Sequence, residues 1–71
     1  MIKSNVKILM EEKGYTIREF ASVAGVTHAT IVRARSDKWI AECRLSTLGR
    51  IANALEVPLK DLFEGEYQAG E

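Results

Sequence analysis

The sequence contains only one cysteine, Cys43, one proline, Pro58, and one histidine, His28. A single cysteine excludes a disulfide within the chain and favours a reducing compartment, so we expect a cytoplasmic protein. No apolar run approaches the roughly 20 residues that a membrane-spanning helix needs, and no signal-peptide pattern opens the chain. We therefore expect no membrane partner.

Groups that perform catalysis are also scarce. The sequence shows no paired acid and base, no nucleophile beside an activating base and no phosphate-cradling loop, which are the usual marks of an enzyme. A metal site needs several ligands, and one histidine with one cysteine does not supply a typical set. We expect a protein without enzymatic activity, metal or cofactor.

Charge is present but unevenly distributed. The 71 residues carry ten Lys/Arg and ten Asp/Glu, a formal charge of zero. Residues 1–55 hold nine of the basic residues against five acidic ones, whereas residues 56–71 hold one basic and five acidic residues. A net positive charge over residues 1–55 is compatible with a phosphate-binding face, because the local electrostatic potential influences a partner more than the net charge of the whole chain does. The length predicts one domain over residues 1–64, followed by a short acidic tail over residues 65–71.

The apolar pattern is helical, and no segment alternates with period two over the length of a strand. We therefore predict an all-α protein of five short helices without a sheet. Ser4 or Asn5 is expected to begin the first helix, and Gly14 to end it. Thr16 caps the second helix, with Glu19 at the capping-box spacing.

The later helices are less sharply bounded. Thr27 caps the third helix, which is expected near residues 28–35. The fourth has an ambiguous start, for which Ser46 is the better cap, and Pro58 sets the start of the fifth. The fourth helix holds the apolar residues Leu45, Leu48, Ile51, Ala52 and Leu55.

The stretch between the second and third helices predicts a helix-turn-helix. Ala21 is small enough for two helices to cross closely, and Gly25 allows the positive φ that reverses the chain. Val26 then closes the turn, and Ile31 and Ala34 are expected to pack back onto the second helix. Each of these positions has its own steric requirement, so finding all of them together is specific for a helix-turn-helix.

Rotation of about 100° per residue divides the third helix into two faces. Thr27, Thr30, Ile31 and Ala34 are expected to face the core. The outer face has no acidic residue and begins at a helix N-terminus, which favours anions. Its members are His28, Ala29, Val32, Arg33 and Ser36.

Two segments, VKILMEEKGYTIREFASVAGVTHATIVRA and LSTLGRIANALEVPLKDLF, resemble the Xre/Cro-type helix-turn-helix family of phage-repressor-like proteins. The likeness covers roughly residues 5–63. It rests on the F-A-x-x-A-G-V turn, the T-x-x-T-I start of helix three and the closing I-A-x-A-L-x-V-P-L-x-x-L-F. The resemblance implies a compact five-helix, lambda-repressor-like DNA-binding domain. It further implies a dimeric transcriptional repressor that lays helix three in the major groove of a near-palindromic operator.

Carried over position by position, the resemblance implies two sets of contacts with double-stranded DNA. The bases are read by His28, Ala29, Val32 and Arg33. The phosphates are bound by Thr16, Ile17, Arg18, Thr27, Ser36, Lys38 and Arg44. Solvated surface charge remains the plain alternative for Arg33, Lys38 and Arg44.

The homodimer that the resemblance implies needs an interface. We expect it at Leu59, Phe63 and Tyr67 near the C-terminus, with Trp39 and Ile40 as the alternative. Trp39 is otherwise expected to anchor its loop over the core, and Cys43 to be inert packing.

The sequence departs from the family pattern at several positions, three of which suggest a second partner surface. Ile17 stands where glutamine is common, and Val23 and Val32 stand where polar residues are usual. A second hypothesis follows: a protein-interaction module on a helix-turn-helix scaffold, in which these three residues bind another protein, as in an antitoxin that pairs with a toxin.

Overall fold

The computed structural model describes residues 1–65. These residues form several short helices and two short strands, and the strand near the N-terminus pairs with the strand near residue 65. The elements in chain order are β1 (Ile2–Ser4), α1 (Val6–Lys13), α2 (Ile17–Ala24), α3 (His28–Ala34), a first 3-10 helix (Ile40–Glu42), α4 (Leu45–Leu55), a second 3-10 helix (Leu59–Leu62) and β2 (Phe63–Gly65). This confirms the predicted, mainly helical helix-turn-helix fold. In the same residues, no helix is long and apolar enough to cross a membrane.

The helix boundaries around the turn follow from local sequence. The Oγ1 of Thr16 accepts a hydrogen bond from the Glu19 N–H at 3.1 Å, and the Glu19 Oε1 accepts one from the Thr16 N–H at 3.1 Å, which completes a capping box. The Oγ1 of Thr27 accepts from the Thr30 N–H at 3.1 Å and caps α3. Gly25 ends α2 in the left-handed region, with φ 73°.

The starts of α1 and α4 differ from the expected caps. Asn5 precedes α1 without a capping hydrogen bond from its side chain, whereas the Ser4 Oγ accepts from the Val6 N–H at 3.3 Å. The expectation that Ser46 caps the fourth helix is wrong, because α4 begins at Leu45, two residues earlier than a Ser46 cap would place it, and its N-cap residue Arg44 makes no side-chain capping bond.

The prediction of a protein without a sheet is wrong. β1 pairs with β2 in antiparallel register, with Ile2 opposite Gly65 and Ser4 opposite Phe63. Each strand has three residues, which is too short to show alternation in the sequence. The expected fifth α-helix is also wrong: it is the second 3-10 helix, of four residues, because the chain passes directly from it into β2.

The core lies between the helices and joins both halves of the helix-turn-helix. Phe20 of α2 and Ile31 of α3 are fully buried, while Ala21 and Ala24 let the two helices approach closely. Thr27 is exposed rather than core-facing, because its side chain is occupied in capping α3. The buried apolar residues are Val6, Met10, Phe20, Ala21, Ala24, Ile31, Ala34, Ile40, Leu48, Ile51, Ala52, Leu55 and Leu62.

The small sheet is connected to the end of α3. Ser4 is 7% exposed, and its Oγ donates a hydrogen bond to the carbonyl oxygen of Ala34, the last residue of α3. The Ser4 N–H donates to the Asp37 Oδ1 at 2.8 Å. Strand β1 therefore fixes the point at which α3 ends.

Candidate nucleic-acid interface

The turn between α2 and α3 is held from both sides. The N–H groups of Gly25 and Val26 both donate to the Ala21 carbonyl oxygen at 3.0 Å, which closes the turn on α2. From α4, the Arg50 Nη1 donates to the Gly25 carbonyl oxygen at 3.2 Å. No pattern in the sequence indicates this last contact, because Arg50 is 25 residues away from Gly25.

The four predicted base-reading residues lie together on the outer face of α3. All four side chains are exposed: His28, Ala29, Val32, which is 47% exposed, and Arg33. The opposite face is closed, since Ile31 and Ala34 on the same helix are fully buried. The rotation of α3 about its axis therefore presents these four side chains to solvent.

The predicted phosphate-binding residues surround this face less uniformly. Thr16, Arg18, Thr27, Lys38 and Arg44 are exposed, and Ser36 is half-buried. Ile17 is half-buried and its side chain packs against the core. The capping box uses the N–H of Glu19, whereas the N–H groups of Ile17 and Arg18 lie in the first turn of α2 and have no acceptor within the helix.

A groove of about 560 Å³ lies between α3 and the start of α4. It brings Arg33, a predicted base-reading residue, to the same wall as Arg44, a predicted phosphate-binding residue. It also places Thr30, Glu42 and Thr47 beside them. Thr30, which was expected to face the core, is half-buried and lines this groove. Glu42 and Thr47 were not predicted, because only the folding of the 35–44 segment brings α4 next to α3.

The predicted DNA-contacting cations have no carboxylate partner within residues 1–65. The ion pair in that part of the chain joins Lys13 Nζ to Glu56 Oε1 at 3.5 Å. Arg18, Arg33 and Arg44 are therefore free of ion pairs with the described residues, and their charge is available to an external anion. Lys38 instead places its Nζ 5.4 Å from the centre of the Trp39 ring.

A family model described as the Cro/C1-type HTH DNA-binding domain matches residues 5–67. This match covers nearly the whole chain and includes every element from α1 to β2. The chain belongs to the Cro/C1-type family. The resemblance to Xre/Cro-type proteins is thereby confirmed, and DNA is the ligand class of the domain. A search of curated proteins finds no match to the chain.

Cys43 lines the groove between α3 and α4, and its thiol is held in its neutral form. Burial raises the pKa of the Cys43 thiol, and the nearby Arg33 guanidinium lowers it to a smaller extent. The Cys43 Sγ donates to the Trp39 carbonyl oxygen at 3.6 Å. Within residues 1–65, no group of three His, Cys, Asp or Glu residues is placed to hold a metal ion.

The residues expected at a dimer interface differ in exposure. Trp39 is 46% exposed, whereas Leu59 and Phe63 are half-buried and pack against the core. Ile40 is 1% exposed, and its side chain belongs to the core of its own chain. Tyr67 lies outside the described residues.

Proposed function

We propose that this protein is a sequence-specific transcriptional regulator that acts in the cytoplasm as a homodimeric repressor. Its two copies of α3 enter successive major grooves of a palindromic operator and block access to a promoter. The observation that best supports the proposal is the outer face of α3. That face is exposed, and its Arg33 has no ion-pair partner within residues 1–65.

Each base-reading residue has a distinct role in the proposal. Arg33 donates to both O6 and N7 of one guanine, a contact that discriminates by about 1–3 kcal/mol. The side chains of Ala29 and Val32 pack against thymine methyl groups, which no other base carries. His28, at the start of α3, donates to a base edge or a phosphate.

The surrounding polar groups set the position of α3 on the duplex. The N–H groups of Ile17 and Arg18 bind one phosphate at the positive end of α2. Lys38 and Arg44 bind phosphates from the loop and from the start of α4. The remaining contributors are the Thr16, Thr27 and Ser36 side chains. Phosphate contacts fix register and orientation without carrying sequence information directly.

The small size of the domain favours dimerisation on DNA. A single small module typically buries about 600–1,000 Å² on DNA, which limits both affinity and the length of sequence read. Two copies related by a two-fold axis place their α3 helices about 34 Å apart, one helical turn of DNA. This arrangement matches a palindromic site.

Selection of bound duplexes from a random library tests the proposal. We expect enrichment of a two-fold symmetric sequence whose half-site centres lie about 10–10.5 base pairs apart. Bound sequences that show no enrichment over the starting library, at a salt concentration where non-specific binding is weak, would contradict it.

A second candidate function is supported by two exposed apolar residues. Val23 is 55% exposed on α2 and Val32 is 47% exposed on α3, whereas Ile17 is largely engaged with the core. The exposed side chains of Val23 and Val32 suit a protein-interaction module, such as an antitoxin that binds a toxin. A salt titration separates the candidates, because binding through several phosphates weakens steeply as salt rises and apolar protein contact does not.

A further inference from the structure

The turn before α3 is joined to α4 by one side chain. The Arg50 Nη1 donates a hydrogen bond to the Gly25 carbonyl oxygen at 3.2 Å, across 25 residues of chain. Gly25 ends α2 with φ 73° and ψ 34°, and Thr27, the N-cap of α3, follows two residues later. The acceptor of the Arg50 bond therefore lies within the turn that connects the two helices.

The charge of Arg50 suits this acceptor. Carbonyl groups at the C-terminal end of a helix carry a partial negative charge, which a cation stabilises. The last turn of α2 contains no basic residue of its own, and Arg50 makes no ion pair with a carboxylate within residues 1–65. Helix α4 thus supplies the cation that the end of α2 lacks. A charged donor also makes a stronger hydrogen bond than a neutral one.

Small side chains leave room for Arg50 to reach the turn. The groove between α2 and α4 at this point is lined by Val23, Ala24, Arg50, Asn53 and Ala54. Ala24 and Ala54 carry only methyl groups, so the longer Arg50 side chain can extend between the two helices. A Cβ added at Gly25 would lie 4.0 Å from the Arg50 Nη1, which places the guanidinium directly beside the turn.

Helix α3 is held near both ends by hydrogen bonds from distant parts of the chain. The carbonyl oxygen of Ala34, its last residue, accepts from the Ser4 Oγ of β1, and the turn before its first residue accepts from Arg50 of α4. The helix has only seven residues, and an isolated helix of that length is not stable in water. Its orientation therefore depends on its buried face and on these two attachments.

We infer that Arg50 is a positioning residue for base recognition, because its bond to Gly25 fixes the direction in which α3 leaves the turn. The inference rests on the proposed function, in which the outer face of α3 reads bases. Helix α4 also begins directly after Arg44, a proposed phosphate-binding residue. The Arg50 bond therefore fixes the base-reading helix relative to a phosphate contact. Base contacts are directional, so loss of the bond weakens binding to the operator more than binding to random DNA.

A direct phosphate contact is the competing role for an exposed arginine, and the two roles predict different losses. A phosphate contact is independent of sequence, and its removal lowers the slope of log affinity against log salt by about one. A positioning role leaves that slope unchanged, because the number of phosphate contacts stays the same. It lowers instead the ratio of operator affinity to random-DNA affinity.

The test compares Arg50→Met, Arg50→Lys and Lys7→Met in the full chain. Methionine at position 50 retains an apolar stem but neither charge nor donor, whereas lysine retains the charge and a donor. Lys7 is exposed on α1, so Lys7→Met is a matched control that removes one positive charge from a surface outside the proposed interface. Arg50 and Lys7 are both exposed, so the core stays intact, and circular dichroism sets a temperature at which every variant is folded.

Two readouts are measured for each variant: the ratio of affinities for the selected operator and a random duplex, and the carbonyl ¹³C chemical shift of Gly25, which reports the hydrogen bond. We expect Arg50→Met to lower the ratio by about threefold to tenfold, the scale of one hydrogen bond to a charged group, with an unchanged salt slope. The Gly25 signal shifts in the same variant. Arg50→Lys lies between wild type and Arg50→Met in both readouts, and Lys7→Met changes neither.

Three outcomes would overturn the inference: an Arg50→Met variant that keeps the wild-type ratio, a Gly25 signal that does not move in that variant, or equal losses on operator and random DNA with a lower salt slope. The last outcome would make Arg50 a phosphate contact. Wild-type protein without base preference would contradict the proposed function and the inference with it. A wild-type preference that survives Arg50→Met would contradict the inference alone.

Discussion

Arg33 is the side chain on which base recognition depends most in our proposal. It is exposed on α3, lines the groove between α3 and α4 and has no ion-pair partner within residues 1–65. Arg33→Ala is expected to abolish discrimination at one base pair, worth about 1–3 kcal/mol, because a bidentate contact with guanine is lost. Fluorescence anisotropy with the selected operator and its single-base variants measures the effect.

Lys38→Ala is the comparison for Arg33→Ala. Lys38 is exposed in the loop after α3, and a phosphate contact from it is independent of sequence. The variant is expected to weaken binding to all duplexes alike and to lower the slope of log affinity against log salt by about one. Equal losses on operator and random DNA for Arg33→Ala would reduce Arg33 to a phosphate contact.

Cys43 gives a residue-scale prediction about ionisation. Burial raises the pKa of its thiol above the ordinary 9.0, so the neutral thiol predominates at pH 7. We expect alkylation of Cys43 by iodoacetamide at pH 8 to be slower than that of the urea-unfolded chain under matched conditions, since only the thiolate reacts. Arg33→Ala slows alkylation further, because the one nearby charge that lowers the pKa is removed. Alkylation faster in the folded protein than in the unfolded chain would contradict the direction of the shift.

At the scale of elements, α4 contains a glycine for which no structural need is evident. Gly49 lies inside α4, is exposed and would bring an added Cβ within 4 Å of no other atom. Gly49→Ala is expected to raise the free energy of unfolding by about 1 kcal/mol, because alanine loses less backbone entropy in a helix. Urea denaturation measures this as a higher midpoint with an unchanged slope.

Gly25→Ala provides the opposite case for the same substitution. An added Cβ at Gly25 meets only the Arg50 Nη1 at 4.0 Å, an ordinary contact, so steric overlap is not the obstacle. The obstacle is φ 73°, which costs an L-residue about 1–2 kcal/mol. Gly25→Ala should therefore lower the unfolding midpoint. A loss at Gly49 or a gain at Gly25 would contradict this account of the two glycines.

The elements that the sequence predicted well are those defined by nearby residues. The Thr16–Glu19 capping box and the Thr27 cap each require residues only three apart, so their pattern is visible in the chain. The sheet is different, because Ser4 pairs with Phe63, nearly the whole chain away. Three-residue strands leave too little alternation to reveal such a pairing.

At the scale of the whole molecule, the same distinction applies to the candidate site. The outer face of α3 follows from helical rotation and was predictable. The contributions of Glu42 and Thr47 to the groove between α3 and α4 depend on how the first 3-10 helix carries the chain from α3 to α4. Periodicity along one helix does not contain that information.

Ser4 joins the most distant parts of the molecule, since β1 contacts β2, α1 and the end of α3 through it. Its Oγ donates to the Ala34 carbonyl oxygen and accepts from the Val6 N–H at 3.3 Å, within a side chain that is 7% exposed. Ser4→Ala removes the hydrogen-bond partner of the Ala34 carbonyl oxygen and of the Val6 N–H, which lowers the free energy of unfolding by about 1–3 kcal/mol. We expect a lower urea midpoint and, at temperatures where the variant remains folded, weaker operator binding, because the end of α3 is no longer fixed.

Ser22→Ala is the matched control for Ser4→Ala. Ser22 is exposed on α2, where alanine is the better helix former, so the change is neutral or slightly stabilising. If Ser4→Ala unfolded at the same urea concentration as Ser22→Ala and bound the operator equally well, the Ser4 side chain would have no part in holding α3. A loss of operator affinity specific to Ser4→Ala would instead support the view that the hydrogen bond from Ser4 of β1 to Ala34 helps to position the helix that we propose reads DNA.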